Sequence, residues 1–325
     1  MWKEKVQNIL KAQLPLERLD AKLRQIIAMR PFPEVAIKKL QETLSIEWTY
    51  NSNSIEGNTL TLQETRAVIE DGITIKGKSL REHFEAVNHH EAIEWIAGLA
   101  KPDFVLTESA ILDVHALVLD KIEKDYAGRY RNAGVRITGA NFLPPNALKV
   151  PDMMGELVDW INSRPTPWHP LQLATAFHHR FVWIHPFFDG NGRTVRLLFN
   201  LLLMQKAYPP AIILRNDRKK YYTALNEANN GDFDKLFLLM FQAQERSLDI
   251  YINTLGSNNT EDYRAIGDML EEEQMPYGQE YISLLARQGK IDAYKEGRVW
   301  YTKKSAVEDY MSGRKRKRKL AGGES

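Results

Sequence analysis

The sequence predicts a mainly α-helical protein with a second, smaller domain. Apolar residues recur three and four positions apart in residues 6–14, 40–48 and 84–96, which is the period of an amphipathic helix. The chain has 325 residues, of which 43% are hydrophobic and 10% aromatic, so it can bury a large core. The stretch GSNNT at residues 256–260 is typical of a linker and indicates where the smaller domain begins.

The order of these patterns divides the chain into four parts. We expect an N-terminal helical region (1–100), a helical core (101–255), a small domain (261–312) and a basic tail (313–325). Helices of the core are expected near residues 153–161, 171–184, 221–229 and 233–251, and the small domain should hold an acidic helix (261–274) followed by a helix, a turn and an aromatic strand (281–301). The tail contains six consecutive Lys or Arg residues at 314–319, a composition that predicts disorder.

One segment of the core departs from the helical pattern. Residues 134–139 alternate between apolar and polar, and the segment PPN at 144–146 is a turn signal. Leu148 and Val150 could form a return strand. The sequence therefore predicts a short β-hairpin between helices.

The composition excludes several classes of protein. The chain contains no cysteine, which excludes disulfide bonds, thiolate metal sites and a catalytic thiol. Residues 1–20 carry charges throughout, and no stretch approaches the roughly 20 apolar residues of a membrane span. We expect a cytoplasmic protein without a membrane partner.

A group of polar residues stands at the start of an apolar run, in HPFFDGNGRTVR at residues 185–196. Asp189 and Asn191 are good helix-start residues, and the following residues are apolar enough to form a buried helix that begins near Gly192. Free N–H groups at such a start carry partial positive charge, and Gly190 and Gly192 have no side chain to keep a ligand from the backbone. The sequence therefore predicts an anion site.

The remaining side chains of this group suit a phosphorylated ligand. Arg193 and Arg196 are three residues apart, so both can reach phosphate oxygens from one turn. Asp189 could hold a Mg²⁺ ion that bridges phosphates, and His185 could accept a proton. Taken singly, these residues could be a core histidine, a helix cap and members of ion pairs, but their combination favours phosphoryl or nucleotidyl transfer to a hydroxyl.

These same residues resemble the signature H-P-F-x-D/E-G-N-G-R-x-x-R of the Fic family. Its members are mostly helical and typically transfer AMP from Mg-ATP to a protein Tyr, Ser or Thr hydroxyl. The resemblance assigns His185 as the base and Asp189 as the magnesium ligand. It implies that Asn191, Gly192 and Arg193 bind the α and β phosphates and that Arg196 binds the γ-phosphate. Gly192 stands where the related Doc-like kinases have lysine, which favours AMP transfer over phosphate transfer.

The resemblance also assigns residues around the nucleotide. The predicted hairpin is similar to the family flap, which lies over the nucleotide and holds the target protein by strand pairing. This implies nucleotide contacts from three flap residues, Arg136, Ile137 and Thr138. Tyr221, Tyr222 and Asn229 match family positions around the adenosine, although they could equally be helix-packing tyrosines and a capping asparagine.

A second stretch, SNSIEGN at residues 52–58, resembles the family's inhibitory motif. Glu56 is expected at a helix end before Gly57, where a carboxylate opposes the helix dipole and needs a positive partner. The resemblance names Arg196 as that partner, so that ATP would lose its γ-phosphate clamp, and gives Ser52 the role of steadying the helix. In some relatives the glutamate also positions water for AMP removal, and the family further implies a homodimer.

The small domain resembles winged-helix or excisionase-like helix-turn-helix domains. Between residues 280 and 310 it holds six Lys or Arg and five acids, so it lacks the basic stripe of a strong DNA-binding domain, although the tail could add phosphate contacts. A domain for protein recognition or packing is the alternative. The whole chain is therefore interpreted as a protein adenylyltransferase, with a DNA-binding regulator as the competing hypothesis.

Overall fold

The computed structural model of the chain describes residues 2–137, 139–163, 168–256, 263–272, 275–296 and 298–321. Its α-helices are α1 (Trp2–Val6), α2 (Leu16–Ala28), α3 (Glu34–Glu56), α4 (Leu62–Glu70), α5 (Leu80–Leu99), α6 (Glu108–Leu119), α7 (Val150–Asn162), α8 (Pro170–Ile184), α9 (Asn191–Met204), α10 (Arg218–Asn229), α11 (Asp234–Leu255), α12 (Ile266–Glu272), α13 (Gln279–Arg287) and α14 (Lys304–Ala321). Short 3-10 helices span Gln7–Lys11, Ala147–Lys149 and Arg215–Asp217, and the strands are β1 (Arg264–Ala265), β2 (Ala293–Glu296) and β3 (Val299–Thr302). The predicted mainly α-helical fold is confirmed. None of the helices described here is both long and apolar enough to cross a lipid bilayer.

The chain divides into two compact units. The first comprises residues 1–12 and 32–247, and the second comprises residues 13–31 and 248–325. The second unit therefore includes α2 from the N-terminal region as well as the predicted small domain, an association that no sequence pattern indicated. The predicted linker is described only at Gly256, and residues 257–260 lie outside the described part.

The first unit is organised around α9. This helix packs against α3, α5, α6 and α8, and its leucines, its valine and Phe199 are buried or nearly so. Burial of each such side chain stabilises the fold by about 1.5–3 kcal/mol. The apolar run that predicted a buried helix thus places the N-terminus of α9 deep in the unit, beside the polar residues that precede it.

The predicted β-hairpin is wrong, because the described residues between 134 and 150 form no strand. Pro144 and Pro145 have no N–H to give to a ladder. The carbonyls of Ala133 and Pro145 accept hydrogen bonds from the Arg131 side chain at 3.0 and 2.6 Å. Carbonyls on either side of the alternating residues are therefore bonded to one side chain. Thr138 lies outside the described residues.

The second unit holds a three-stranded antiparallel sheet in the order β1-β3-β2. Tyr294 on β2 is opposite Tyr301 on β3, and the two rings stack with centroids 5.2 Å apart. Helices α12 and α13 supply apolar residues such as Met269 and Leu285 to its core. Buried Lys22 on α2 forms a salt bridge with Asp249 at 2.6 Å and a second with Asp292.

Two boundaries in this unit differ from the prediction. The acidic helix is observed as α12, Ile266–Glu272, while residues 261–262 and 273–274 lie outside the described part. The tail was predicted to be disordered from residue 313, but α14 continues through it to Ala321. Lysine and arginine are good helix formers, so a helix that has already started extends through them readily.

Candidate active site

The loop between α8 and α9 carries the predicted base and the predicted metal ligand. Helix α8 ends at His185, whose backbone is left-handed with φ 52° and ψ 62° although it is not glycine. Such a conformation costs on the order of 1–3 kcal/mol and persists only where the surroundings enforce it. Gly190, with φ 75°, then precedes the first residue of α9. The chain turns tightly enough to bring His185 and Asp189 to the start of α9.

Asn191 closes this loop on itself. Its Nδ2 donates to the Phe187 carbonyl at 2.8 Å, and its Oδ1 accepts from the Phe187 N–H at 2.9 Å. The side chain is therefore used inside the loop. Any contact of Asn191 with phosphate would come from its backbone N–H, which belongs to the first turn of α9.

Arg131 also holds the loop between α8 and α9. The sequence reasoning missed this residue. Its side chain is 2% exposed, its Nε donates to the His185 carbonyl at 2.8 Å, and its backbone N–H donates to the Pro186 carbonyl at 2.9 Å. The same guanidinium reaches the carbonyls of Ala133 and Pro145 in the predicted flap region. One buried arginine thus ties the strained backbone at His185 to the carbonyls of Ala133 and Pro145.

His115 on α6 is a second missed residue. Its Nδ1 accepts from the Gly128 N–H at 3.0 Å, so Nε2 carries the proton and donates to the Asp189 carbonyl at 3.0 Å. The ring stacks on Phe187 with centroids 3.5 Å apart. Burial lowers the pKa of His115 to about 4, so the ring is neutral at pH 7. His115 holds the Asp189 backbone in place, a role that helical spacing alone could not reveal.

The environment of His185 suits a proton acceptor. Burial lowers its pKa to about 4, and the positive charge of Arg131 also lowers it. The imidazole is therefore neutral over the physiological pH range and has a nitrogen lone pair available.

The structure brings Glu56 and Arg196 together, as expected. Arg196 is 4% exposed and its Nη1 lies 2.8 Å from Glu56 Oε1. Its Nε donates to the Ser52 hydroxyl at 3.0 Å and its Nη2 to the Ser52 carbonyl at 2.8 Å. Burial alone would lower the pKa of Arg196, but the Glu56 carboxylate raises it above its ordinary value. All three guanidinium nitrogens are held by the last turns of α3.

Gly192 lies directly beneath the Glu56 carboxylate. A Cβ added at Gly192 would meet Glu56 Oε1 at 2.0 Å and Arg196 Nη1 at 2.9 Å. Tyr222 approaches the other oxygen of Glu56, with its hydroxyl 3.4 Å from Oε2. The carboxylate therefore lies beside the first turn of α9, and the absence of a side chain at Gly192 is what admits it.

Asp189 and Arg193 also have charged partners. Arg81 Nη2 lies 2.5 Å from Asp189 Oδ2, and Glu85 Oε1 lies 3.2 Å from Arg193 Nη1. Burial raises the pKa of Asp189, but Arg193, the Gly190 N–H and Arg81 together lower it below its ordinary value, so the carboxylate is ionised.

The predicted adenosine residues line the neighbouring helix α10. Tyr221 is buried, and its hydroxyl lies 3.0 Å from His178 Nε2. Asn229 lies between His179 and Asn141, with its Oδ1 3.0 Å from His179 Nε2 and its Nδ2 3.4 Å from Asn141 Oδ1. These contacts place α10 beside the flap region. The side chains of Arg136 and Ile137 make no contact that assigns them to the site.

A magnesium ion fits this set of donors. No group of three or more His, Cys, Asp or Glu side chains suitable for a metal occurs in the described part of the chain. Mg²⁺ is commonly held by one or two carboxylates together with substrate phosphates, so Asp189 alone is sufficient when a nucleotide supplies the other oxygens.

Known proteins with a mainly helical fold of this kind show the class to which the chain belongs. The sequence profile of the Fic/DOC family matches residues 105–203. A protein from Nematostella vectensis named protein adenylyltransferase Fic is 36% identical over 239 residues, which are 73% of this chain and 55% of that protein. One of the same name from Aedes aegypti is 34% identical over 287 residues, 88% of this chain and 56% of that protein.

Solved structures agree. Fic-1 (residues 134–508) from C. elegans has a TM-score of 0.67 and 30% identity, and the match covers 74% of this chain and 72% of that chain. A Fic domain-containing signaling protein from Bacteroides thetaiotaomicron has a TM-score of 0.67 and 29% identity, over 75% of this chain and 98% of that one. The chain belongs to the Fic/DOC family. It spans about half the length of the curated relatives it matches.

Proposed function

We propose that this chain is a protein adenylyltransferase, which transfers AMP from Mg-ATP to a Tyr, Ser or Thr hydroxyl of a protein, including its own. The single observation that carries the proposal is the position of the Glu56 carboxylate, over Gly192 and against Arg196. An anion already sits where the helix N-terminus and the arginine would bind phosphate. The names of the curated relatives supply the same activity.

The chemistry follows from the groups around the loop. His185 accepts the proton of the target hydroxyl as that oxygen forms a bond to the α-phosphorus. The bond from the α-phosphorus to the bridging oxygen breaks, and pyrophosphate leaves with the electron pair. The first N–H groups of α9 stabilise the charge on the phosphate oxygens, and Arg193 and Arg196 bind the phosphate tail. A magnesium ion held by Asp189 would supply further neutralisation of the phosphate charge.

The contact between Glu56 and Arg196 also inhibits the resting enzyme. While Glu56 holds Arg196, the γ-phosphate has no clamp and meets a carboxylate of like charge. A salt bridge on the surface contributes only about 0–1 kcal/mol, but this pair is partly buried and Arg196 is held by Ser52 as well. Inhibition therefore combines charge repulsion with occupation of the anion site. The same glutamate could position water to remove AMP, which would make the enzyme bifunctional.

ATP labelled on either the α- or the γ-phosphate tests the reaction type. The Glu56→Gly variant should retain protein-bound label from α-labelled ATP and none from γ-labelled ATP. The reverse pattern would identify a kinase and contradict the proposal. A matched control is Glu42→Gly, which makes the same change at an exposed position of α3 and should behave as wild type.

The target protein and a second copy of the chain are further proposed partners. Support for a protein target is the name protein adenylyltransferase that the curated relatives carry. DNA binding through the winged-helix-like domain and the tail is the competing function, and the near balance of charges in residues 280–310 argues against it. Sequence-preferring DNA binding that survives deletion of residues 312–325 would favour it.

A further inference from the structure

Four charged side chains form a closed ring in front of the first turn of α9. Arg81 contacts Asp189 at 2.5 Å, and Asp189 contacts Arg193 at 3.5 Å. Arg193 contacts Glu85 at 3.2 Å, and Glu85 returns to Arg81 at 3.4 Å. Two members come from α5 and two from the α8–α9 loop and α9. We call this set the charge ring.

In the charge ring, each residue of α5 carries the opposite charge to the residue that it contacts in the loop or in α9. Asp189 and Arg193 are the residues proposed to hold the divalent cation and phosphate. On α5, Arg81 places a positive charge on Asp189, and Glu85 places a negative charge on Arg193. The residue proposed to bind the cation is therefore already in contact with a positive side chain, Arg81. The residue proposed to bind phosphate is in contact with a negative one, Glu85.

The contacts imply direct competition. Asp189 Oδ1 accepts from the Gly190 N–H at 2.6 Å, which leaves Oδ2 as the oxygen for a cation, and Oδ2 is the atom that Arg81 contacts. The Arg193 side chain is only 3% exposed and that of Glu85 13%, so the Glu85 contact is sheltered from solvent. A cation on Oδ2 must displace Arg81, and a phosphate on Arg193 must displace Glu85.

We propose that Arg81 and Glu85 compete with the divalent cation and with phosphate, and that binding of the metal–nucleotide complex opens the charge ring into separate pairs. This rests on the proposed function. Arg81 and Glu85 are four residues apart on α5 and already in contact, so they can neutralise each other once displaced. The charge ring therefore opposes nucleotide binding in addition to Glu56. The ring acts on Asp189 and Arg193, whereas Glu56 acts on Arg196.

Calorimetric titration with ATP tests this in the Glu56→Gly background, which removes the Glu56 effect. Each protein is titrated in EDTA and in excess Mn²⁺. Glu85→Gln should tighten ATP binding about three- to five-fold even in EDTA, as expected when one competing ion pair is lost. The glutamine can still accept the hydrogen bond that Asn58 donates to Glu85. Arg81→Gln should increase the ratio of ATP affinity in Mn²⁺ to ATP affinity in EDTA about three- to five-fold.

Arg66 and Glu70 provide matched controls. They are also an i, i+4 pair, on α4, about half exposed and outside the charge ring. Arg66→Gln and Glu70→Gln make the same changes of charge and should leave ATP binding unchanged under both conditions. If they shift binding as much as the ring variants, the effect is long-range electrostatics and the proposal is overturned.

Two further outcomes would overturn it. Unchanged ATP affinity in both ring variants would show that Arg81 and Glu85 do not compete, and a smaller gain in affinity from Mn²⁺ in Arg81→Gln would show that Arg81 does not oppose the cation. Absence of ATP binding in the Glu56→Gly parent would instead refute the proposed function, and the charge ring proposal with it.

Discussion

The carboxylate of Glu56 lies against Gly192, where a Cβ would meet Oε1 at 2.0 Å. The glycine that leaves the helix N-terminus open for the proposed phosphate therefore also admits this carboxylate. A side chain at Gly192 fits only if the Glu56 carboxylate moves away. This relationship makes the two residues thermodynamically coupled.

Gly192→Ala should destabilise the wild-type protein by about 1–3 kcal/mol, because the added methyl group clashes with Glu56. In the Glu56→Gly background the same substitution should cost less than half as much, since its neighbour is gone. Chemical denaturation of the four proteins measures this coupling. Gly98→Ala is the control: Gly98 has open space around it in α5, and alanine there should be neutral or slightly stabilising. Additive costs for Gly192→Ala and Glu56→Gly would contradict the packing.

Arg131 should be needed to position His185. Arg131→Met removes donors from several carbonyls, and we expect a loss of about 2–4 kcal/mol in the free energy of unfolding because buried acceptors lose their partners. Arg131→Lys should lose less of the free energy of unfolding than Arg131→Met. In the Glu56→Gly background, Arg131→Met should lower kcat by a larger factor than it changes the KM for ATP. Exposed Arg129→Met serves as the control, and an equal loss in Arg129→Met would show that the effect is not specific to Arg131.

The pH dependence should report a histidine with a low pKa. Burial lowers the pKa of His185 to about 4, so it is deprotonated and able to accept a proton from about pH 5 upward. Activity of Glu56→Gly, as kcat/KM, should be level between about pH 5.5 and 7.5 and should fall only as pH approaches about 4. Circular dichroism at each pH confirms that the protein remains folded. A break near the ordinary histidine value of about 6.5 would contradict the buried environment.

The same shift has a consequence for stability. His185 and His115 both have folded-state pKa values of about 4, below the unfolded value, so the unfolded chain binds more protons between about pH 4 and 6.5. The free energy of unfolding should therefore rise with pH across this window. His115→Asn should reduce the slope of the free energy of unfolding against pH by the equivalent of about one proton. Denaturation at several pH values measures this slope. An unchanged slope would mean that His115 does not titrate below its ordinary range.

The sequence predicted the part of the site that is local in the chain. Residues 185–196 hold a histidine, an acid, two glycines and two arginines within one loop and one turn, so their proximity follows from helical geometry. The apolar run after Gly192 also predicted correctly that the helix is buried. The Glu56–Arg196 contact spans 140 residues and was expected only because both stretches resemble one family.

The residues that support the loop could not be predicted in this way. Arg131, His115 and Arg81 are 54, 74 and 108 residues from the groups they hold, and nothing in their own neighbourhoods distinguishes them. The hairpin prediction failed for a local reason. Its alternating pattern was real, but the segment holds Pro144 and Pro145, which have no N–H to donate to a strand ladder.

Self-labelling with α-labelled Mg-ATP tests the central claim most directly. Wild type, Glu56→Gly and Glu56→Gly/His185→Ala are compared under identical conditions, with Glu42→Gly as the control for glycine in α3. The account predicts strong labelling of Glu56→Gly, weak labelling of wild type and of Glu42→Gly, and none of the double variant. Equal labelling of wild type and Glu56→Gly, or labelling that persists without His185, would contradict it.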